Sequence, residues 1–493
     1  MNAALDIQYE DAPALLTRAV SAHAGGDKKS ALDAYNNVIL LDPKNIVALT
    51  NLGTLAFERK DYQAAIDFHE MALAVEPNYF PAIHNLGAAL NGAQRYDEAL
   101  VAYRTAIELS PDDYRTLSNL GETLTLMSEY GDAIDNLRRA VWSKPEFAEA
   151  HCNLGMALME SGFVEKAIGC FRVAIALNPT LSMAHKNLGI ALLSSGQFYE
   201  GWPEYGWRFE ADEIGLPFDY PVWDGESLDG KLLVWLEQGI GDEILQAGML
   251  GTLIEAGHKV VCVAEGRLIT LLARAHPELE LVARSAASET DIKGIKAQIP
   301  GGSLGFYTRR SLDAFPARSS YLTPDKARAD ALRIQLDLQV GERLVGVSWA
   351  SLSTKIGDRK SIDLSEWDYI LNTGDVRYVD LQYGDTEAER HGVPLVHVDG
   401  LDLTDDMEGL AALISLCDGV VTVSNSVAHL AGALGIPAWV LMPPDGLRLW
   451  WSGLNETPFW YPNTRIIRKS PTESWGPCLE MAHGLIQETC REK

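Results

Sequence analysis

The chain has 493 residues and a formal net charge of −27 at pH 7. An acidic surface of that size repels phosphate backbones and anionic lipid, which argues against nucleic-acid and membrane-surface binding. The length predicts about two to four domains, each with enough chain to bury a core.

Residues 1–11 read as a polar tail. They have neither a basic start nor an apolar stretch, so no signal peptide is expected. No apolar run in the chain approaches the ~20 residues that span a bilayer. The six cysteines, Cys152, Cys170, Cys262, Cys417, Cys478 and Cys490, form no CxxC pair. They predict reduced thiols in a cytoplasmic protein, with no disulfide frame and no metal site.

Residues 12–210 carry an internal repeat. Prolines recur every 34 residues, at Pro43, Pro77, Pro111, Pro145 and Pro179. The triplet Asn-Leu-Gly keeps the same register at Asn51, Asn85, Asn119, Asn153 and Asn187. Small residues recur at Ala65, Ala99, Ala133 and Ala167, and again at Ala72, Ala106, Ala140 and Ala174. The unit is a helix pair. Glycine and alanine permit close approach of the helices, and proline stops the second one. These marks resemble the tetratricopeptide repeat, whose stacks form a curved surface for peptides and partner proteins. The first repeat has Ala19 where the others have glycine, and the last runs into GQFYEGWPEYGWRFE, which is expected to cap the stack. The five asparagines should form a column. An amide matches a peptide backbone of any sequence, yet the same residue also suits the repeat's own loops, so both readings stand. The column resembles the asparagine ladder of the O-GlcNAc transferase superhelix, which implies that Asn51, Asn85, Asn119, Asn153 and Asn187 hold an acceptor chain.

Residues 211–229 are rich in Pro, Gly and Asp and read as a connector. Beyond them, short β-branched runs alternate with helical runs, the pattern of parallel sheets covered by helices. A first lobe (230–338) has candidate strands 231–236 and 259–263. A second (339–493) has 344–348, 377–381, 393–398, 419–423, 438–441 and 465–468. The fold class is therefore α + α/β: a repeat solenoid followed by a two-lobed, Rossmann-like half.

Three strand ends carry polar chemistry. In VWLEQGIGDEIL, Gly239 and Gly241 make a tight turn and Asp242 opens a helix. An acid there suits proton transfer, or it caps the helix. In VSWASLSTKIGDRKSIDL, a strand ends at Ser348, and Ser351, Lys355, Arg359 and Lys360 follow, placed for phosphates or simply solvated. In VVTVSNSVAHLAGALG, Ser424-Asn425-Ser426 separate a strand from a helix, where they cap it or leave room for an anion.

The second half resembles the GT-B glycosyltransferases. It is similar to bacterial proteins that fuse tetratricopeptide repeats to lobes related to the ADP-heptose heptosyltransferases and, more distantly, to O-GlcNAc transferase. The residues that carry this are GWPEYGWRF, Pro221–Gly225, EQGIGDEI, SWA with RKS, LQYGD, SNSVAHLAGALG and the Trp450-Trp451 and Trp460-Tyr461-Pro462 tail. The resemblance implies Asp242 as general base, with Gln238 beside it on the acceptor side. It implies Lys360 at the donor phosphates, with Ser348, Ser351 and Arg359 nearby. Gln382 and Tyr383 fall where the nucleotide is contacted, and Ser424, Asn425, Ser426 and His429 fall at the donor-binding turn. His429 is alternatively a buried helix residue. The chain departs from heptosyltransferases at Ser424-Asn425-Ser426, where they have Asp-Thr-Gly, and at Tyr383, where close relatives have lysine.

The implied activity is inverting, metal-independent transfer of a sugar from a nucleotide-sugar to Ser or Thr of a protein acceptor. No cofactor is implied. Flagellin is one acceptor the resemblance suggests, with CMP-linked nonulosonic acids among the donor classes. The alternatives are a glycan or lipid-linked acceptor, and a non-catalytic repeat scaffold.

Overall fold

A computed structural model of the chain describes residues 11–287, 292–316, 320–352, 357–372, 376–444, 453–454, 456–470 and 473–491. The chain divides into two compact units, Met1–Ala184 and His185–Lys493.

The first unit is built from helix pairs: α1 (Ala12–Ala24) with α2 (Lys28–Leu41), α3 (Ile46–Glu58) with α4 (Tyr62–Val75), α5 (Phe80–Gly92) with α6 (Tyr96–Leu109), α7 (Tyr114–Leu126) with α8 (Tyr130–Ser143), and α9 (Ala148–Glu160) with α10 (Val164–Leu177). An eleventh helix, α11 (Ser182–Ser194), runs into the second unit. Short acids and amides start several helices. Asp27 accepts from the Ser30 amide at 3.0 Å, Asn45 from Ala48 at 3.1 Å, Asp61 from Ala64 at 3.2 Å and Asp113 from Thr116 at 2.8 Å. Each repeated proline follows directly on the residue that ends a second helix, such as Asp42, Glu76 and Ser110.

The conserved spacing of the glycines has a steric cause. A Cβ added at Gly53, Gly87, Gly121 or Gly155 would sit 2.5, 2.6, 2.4 or 2.5 Å from His69, Tyr103, Leu137 or Phe171. Each repeat thus seats one large side chain of its second helix on the bare backbone of its first. Leu137, Tyr103 and Phe171 are fully buried apolar plugs, and His69 is the exception. Both its ring nitrogens are buried without a hydrogen-bond partner.

The second unit opens with α12 (Phe198–Tyr205) and α13 (Arg208–Ala211). It then forms two parallel sheets. The first has β1 (Lys231–Trp235), β2 (Lys259–Ala264), β3 (Glu280–Ala283) and β4 (Ile295–Pro300) in the order β3-β2-β1-β4. The second has β5 (Leu344–Ser348), β6 (Arg377–Asp380), β7 (Gly419–Val423), β8 (Ala438–Met442) and, past the small hairpin of β9 (Gly453–Leu454) and β10 (Thr457–Pro458), β11 (Thr464–Arg468), in the order β11-β8-β7-β5-β6. Strand order reverses beside β1 in the first sheet and between β5 and β7 in the second. The crevices at such reversals are where open α/β sheets bind ligands.

Three sequence expectations change. Residues 393–398 do not form a strand; only Val396 makes a bridge, to Val379. β3 and β4 complete the first sheet without having been anticipated. The stretch 211–229, expected as a connector, is partly pinned along the edge of β4. Gln298, fully buried on β4, donates from its side-chain amide to the Tyr220 carbonyl at 2.8 Å and also to that of Phe218, while the Trp223 amide donates to the Gln298 carbonyl at 2.8 Å.

Two predictions follow from the plugs. Gly121→Val should destabilise the repeats by about 1–3 kcal/mol through overpacking against Leu137, read as faster hydrogen exchange in α7 and α8 of the full chain. His69→Phe should stabilise them by about 1–2 kcal/mol, because it removes two unsatisfied nitrogens at a position where Phe171 already fits. Burial, with His84 adding to it, holds the His69 pKa at about 4 rather than 6.5. The unfolded chain therefore binds the extra proton between those values, and the native repeats lose stability as pH falls from about 6.5 to about 4. The advantage of the Phe variant should widen over that window, and an advantage independent of pH there would refute the assignment.

Candidate functional site

The end of β1 turns sharply into the helix Ile240–Ala247, labelled α14. Gln238 sits in this turn at φ +70°, a conformation costly for a residue with a side chain. Its amide nitrogen donates to the Tyr205 hydroxyl at 2.9 Å. Gly239 is the N-cap of α14, and Asp242 stands three residues on. The Asp242 carboxylate accepts from the Gly239 amide at 3.0 Å and stays half-buried at the helix start. It therefore does part of a capping task from inside the first turn while facing out of the sheet. Its neighbour Glu243 turns the other way. Glu243 is 1% exposed, accepts from the Glu265 amide at 2.8 Å and pairs with Arg284. Burial pushes its pKa up against the pull of those partners. Of the two adjacent acids, Glu243 is held inside the core and Asp242 lies half-buried at the helix start.

A clamp holds this turn from below. Arg208 of α13 is 3% exposed and donates to Glu237 at 2.5 Å, to Ser303 Oγ at 2.8 Å and to the Tyr205 carbonyl at 3.2 Å. Glu237 also accepts from the Gly302 amide at 3.1 Å. The rings of Tyr205 and Phe209 lie 4.7 and 4.2 Å from the guanidinium. Sequence reading passed over Arg208 and Glu237. The signal was an arginine among the aromatics of GWPEYGWRFE, whose partner lies far along the chain.

At the second sheet the ends of β5, β6 and β7 are tied into one polar knot. Gln382 Oε1 accepts from Ser348 Oγ at 2.9 Å and from the Trp349 and Ala350 amides at 2.9 and 2.8 Å. Asn425 donates to Ser348 Oγ at 2.8 Å and to the Ala350 carbonyl at 3.0 Å. The other end of the Asn425 amide accepts from Val427 N at 3.0 Å, Ala428 N at 3.4 Å and Thr422 Oγ1 at 3.2 Å. Asn425 is thus the N-cap of the helix Ser426–Leu434. Ser348, Gln382 and Asn425 are buried and engaged with one another, so they shape the crevice from within. The groups nearer its surface are Lys360, Ser426, Ser351, Tyr383 and the exposed Arg359. Lys360 donates to the Ser424 carbonyl at 3.4 Å, and the Tyr383 hydroxyl hydrogen-bonds Ser426 and Ser351. Lys355, Trp450 and Trp451 lie outside the described residues.

The two sheets meet where α14 packs on the Ser426–Leu434 helix. A Cβ at Gly241 would lie 2.7 Å from Cδ2 of His429. His429 is buried, its Nδ1 lies 3.0 Å from the Tyr461 hydroxyl, and burial together with Lys360 lowers its pKa to about 3. The contact brings Asp242, from one sheet, to the same end of the unit as Lys360 and Ser424–Ser426, from the other.

Two open cavities flank this end. One of about 710 Å³, lined by Phe218, Tyr220, Trp235, Glu237, Gln238 and Arg284, lies beyond β1 and β2. Another of about 250 Å³ lies beyond β6, with Gln382, Asp385, Arg390, His397 and Thr404 in its wall. His397 and Arg390 both bond the buried Asp380 at 3.1 Å.

The asparagine column is partly used inside the repeats. Asn51 donates to the Val47 carbonyl of its own helix at 2.9 Å. Asn85 donates to Thr54 at 3.3 Å and Asn153 to Ser118 at 3.2 Å, each reaching the preceding repeat. Asn119 bonds Tyr103. All four remain half-buried, with side-chain surface left over. Asn187 belongs to the second unit, is 3% exposed, and its Nδ2 is buried without a partner.

Among known proteins, residues 16–77 and 148–181 match the family described as tetratricopeptide repeat, and residues 93–127 match one described as TPR repeat. Protein FlbA of Caulobacter vibrioides is 33% identical over 312 residues, covering 58% of this chain and 51% of that protein. The chain thus spans about half the length of this curated relative. Two solved structures are similar to parts of the chain. YrrB, described as a TPR protein with an unusual peptide-binding site, has 23% identity, a TM-score of 0.31, and coverage of 35% of this chain and 90% of its own. PilW, described as a widely conserved type IV pilus biogenesis factor, has 19% identity, a TM-score of 0.38, and coverage of 42% and 95%. The chain thus carries tetratricopeptide repeats within residues 16–181, followed by an α/β unit of two parallel sheets, and is similar to FlbA over part of its length.

Proposed function

We propose that the α/β unit is a GT-B glycosyltransferase that moves a sugar from a nucleotide-activated donor to a Ser or Thr hydroxyl of a protein held by the repeats. The observation that carries the reading is the convergence at Gly241 and His429. It sets a carboxylate at the end of one parallel sheet against a lysine and a helix start at the end of the other. A Ser or Thr hydroxyl needs a base as its oxygen attacks, and Asp242 is in position to take that proton. The departing diphosphate or phosphate gains charge as the glycosidic bond breaks, and Lys360, Arg359 and the positive end of the helix that starts beyond Asn425 oppose that charge. One carboxylate, with no second nucleophile argued for, fits inversion at the anomeric carbon, and the cations with the helix start would stand in for a divalent metal. The repeats support a protein partner, and flagellin is the acceptor first in line for testing.

A second reading, a repeat scaffold with an inactive α/β unit, is favoured by Asn425. That residue caps Val427 and Ala428 itself and so occupies amides that an anion would use.

A melting screen with UDP-, GDP-, ADP- and CMP-sugars separates the two, because a ligand bound by the folded state raises the melting temperature. One nucleotide class should stabilise the wild type and lose its effect in Lys360→Ala. No shift at millimolar concentration favours the scaffold. Asp242→Asn should keep nucleotide binding and lower transfer by roughly 10²–10⁴-fold. Gly241→Ala should drive a methyl group into the His429 ring, separate the two helices and depress both binding and transfer. Transfer that survives both substitutions would remove Asp242 and the helix contact from the mechanism.

A further inference from the structure

The cavity of about 710 Å³ beyond β1 and β2 has residues of the stretch 214–220 as its other wall. Its construction starts with Gln298. That side chain is fully buried on β4, and its amide holds the Tyr220 carbonyl at 2.8 Å and also that of Phe218. The main chain beside it is held as well. Trp223 N donates to the Gln298 carbonyl and Gln298 N to the Pro221 carbonyl, each at 2.8 Å. A segment pinned in this way packs Phe218 and Tyr220 into one apolar cluster with Trp235 and Val263 of the strand ends. The wall therefore stands ready before any ligand arrives, which lowers the cost of binding one.

The charges of the wall are neutralised in pairs. Glu237 bonds Arg208 at 2.5 Å, and Arg284 bonds Glu243. What the pairs leave is an apolar surface with one exposed carboxylate, Asp219, which disfavours an acidic ligand. A sugar is disfavoured too. Its hydroxyls would lose water on entering, and each one left unpaired costs about 1–3 kcal/mol. The largest ring, Trp235, is only 7% exposed and offers little face for a sugar to stack on.

The cavity adjoins the turn that carries the candidate base. Gln238 belongs to its wall and sits at φ +70°, and the next residue, Gly239, donates to Asp242 at 3.0 Å. One end of the Gln238 amide bonds the Tyr205 hydroxyl at 2.9 Å, and the other end has no partner among the described residues. Whichever end is free, an amide can bond a peptide group. Ligand sites commonly enclose roughly 300–1,000 Å³, so the cavity has room for a large side chain and the peptide groups beside it.

We propose that this cavity is an acceptor subsite, which takes an uncharged apolar side chain next to the Ser or Thr that receives the sugar, while Gln238 bonds the adjoining peptide group. The acceptor role rests on the sugar-transfer reading. Peptide binding does not, and it is measured without donor.

The test uses the full chain and the peptide Ala-Gly-Phe-Ser-Gly-Ala with 4-fluorophenylalanine in place of Phe, followed by fluorine NMR. The unlabelled Phe peptide should displace the probe at least about tenfold better than the same peptide with Asp in place of Phe. Two substitutions block the cavity without touching the candidate machinery. A Cβ at Gly215 meets no atom within 4 Å, so Gly215→Trp adds an indole to the wall where there is space for it. Ile214→Asp puts a charge on the same wall at a side chain already 55% exposed. Each should weaken probe binding about tenfold and leave the melting shift given by a nucleotide-sugar unchanged. Probe binding that survives both substitutions places the peptide elsewhere and overturns the proposal. A wild type that binds the Phe and Asp peptides equally, or neither, overturns it as well. So does chitotriose binding that disappears in Gly215→Trp, which would assign the cavity to a glycan. Peptide binding lost in both variants, in a protein that no nucleotide stabilises, keeps the peptide site and overturns its acceptor role.

Discussion

The close approach of α14 to the Ser426–Leu434 helix at Gly241 is the constraint on which the site depends. Any side chain at that position would enter the His429 ring. Without the contact the carboxylate at the end of the first sheet and the lysine at the end of the second would belong to separate lobes. The contact is stiffened from several sides. The Tyr321 and Leu322 amides both donate to the Ala433 carbonyl, at 3.0 and 3.1 Å, which closes the far end of the second helix. Arg274 of the first sheet's half bonds Glu408 of the second's at 2.7 Å. Buried apolar residues from both sheets, among them Leu250, Leu253, Leu410, Val427 and Leu430, belong to one continuous core. A crevice built on so much shared packing is preorganised, which is what electrostatic stabilisation of a developing charge requires.

Burial then sorts the polar residues by role. Ser348, Gln382 and Asn425 are nearly inaccessible, and a buried polar group left unpaired costs about 1–3 kcal/mol. Their bonds to one another and to the β5 end remove that cost and fix the geometry of three strand ends together. The same engagement limits what they can offer a ligand. The polar groups nearer the surface, Lys360, Arg359, Ser426, Ser351 and Tyr383, are the ones through which the proposed transfer would recognise one. At the first sheet the division repeats with two neighbouring acids: Glu243 is held by Arg284 and a backbone amide inside the fold, and Asp242 is kept at its surface.

How much of this was legible in the sequence depended on range. The repeats were readable because one physical event, a large side chain seated on a glycine, recurs every 34 residues. Strands β1, β2, β5, β7 and β8 were readable because each is buried on both faces and so is a short apolar run. β3 and β4 were not, since Glu280–Ala283 and Ile295–Pro300 mix charged and polar residues into short runs, and Gln298 is buried only because it holds the 218–220 backbone. Val393–Val398 has an alternating pattern that suits a strand, but only Val396 finds a bridge partner. The positions of Asp242, Lys360 and the Ser424–Ser426 turn at strand ends could be read locally. The Arg208–Glu237 clamp and the His429–Tyr461 bond could not, because each joins residues that sequence separation leaves unrelated and no local pattern marks.

Charge completes the argument for how a ligand would lie. The chain carries a formal charge of −27, so an anionic donor is repelled by most of its surface and held only where cations gather. Lys360 and Arg359 supply them on one side of the contact, and Asp242 is on the other. A phosphate placed beside Asp242 would meet a like charge, whereas a neutral hydroxyl would not. In the proposed transfer the phosphates would therefore lie toward the second sheet and the attacking hydroxyl toward the first.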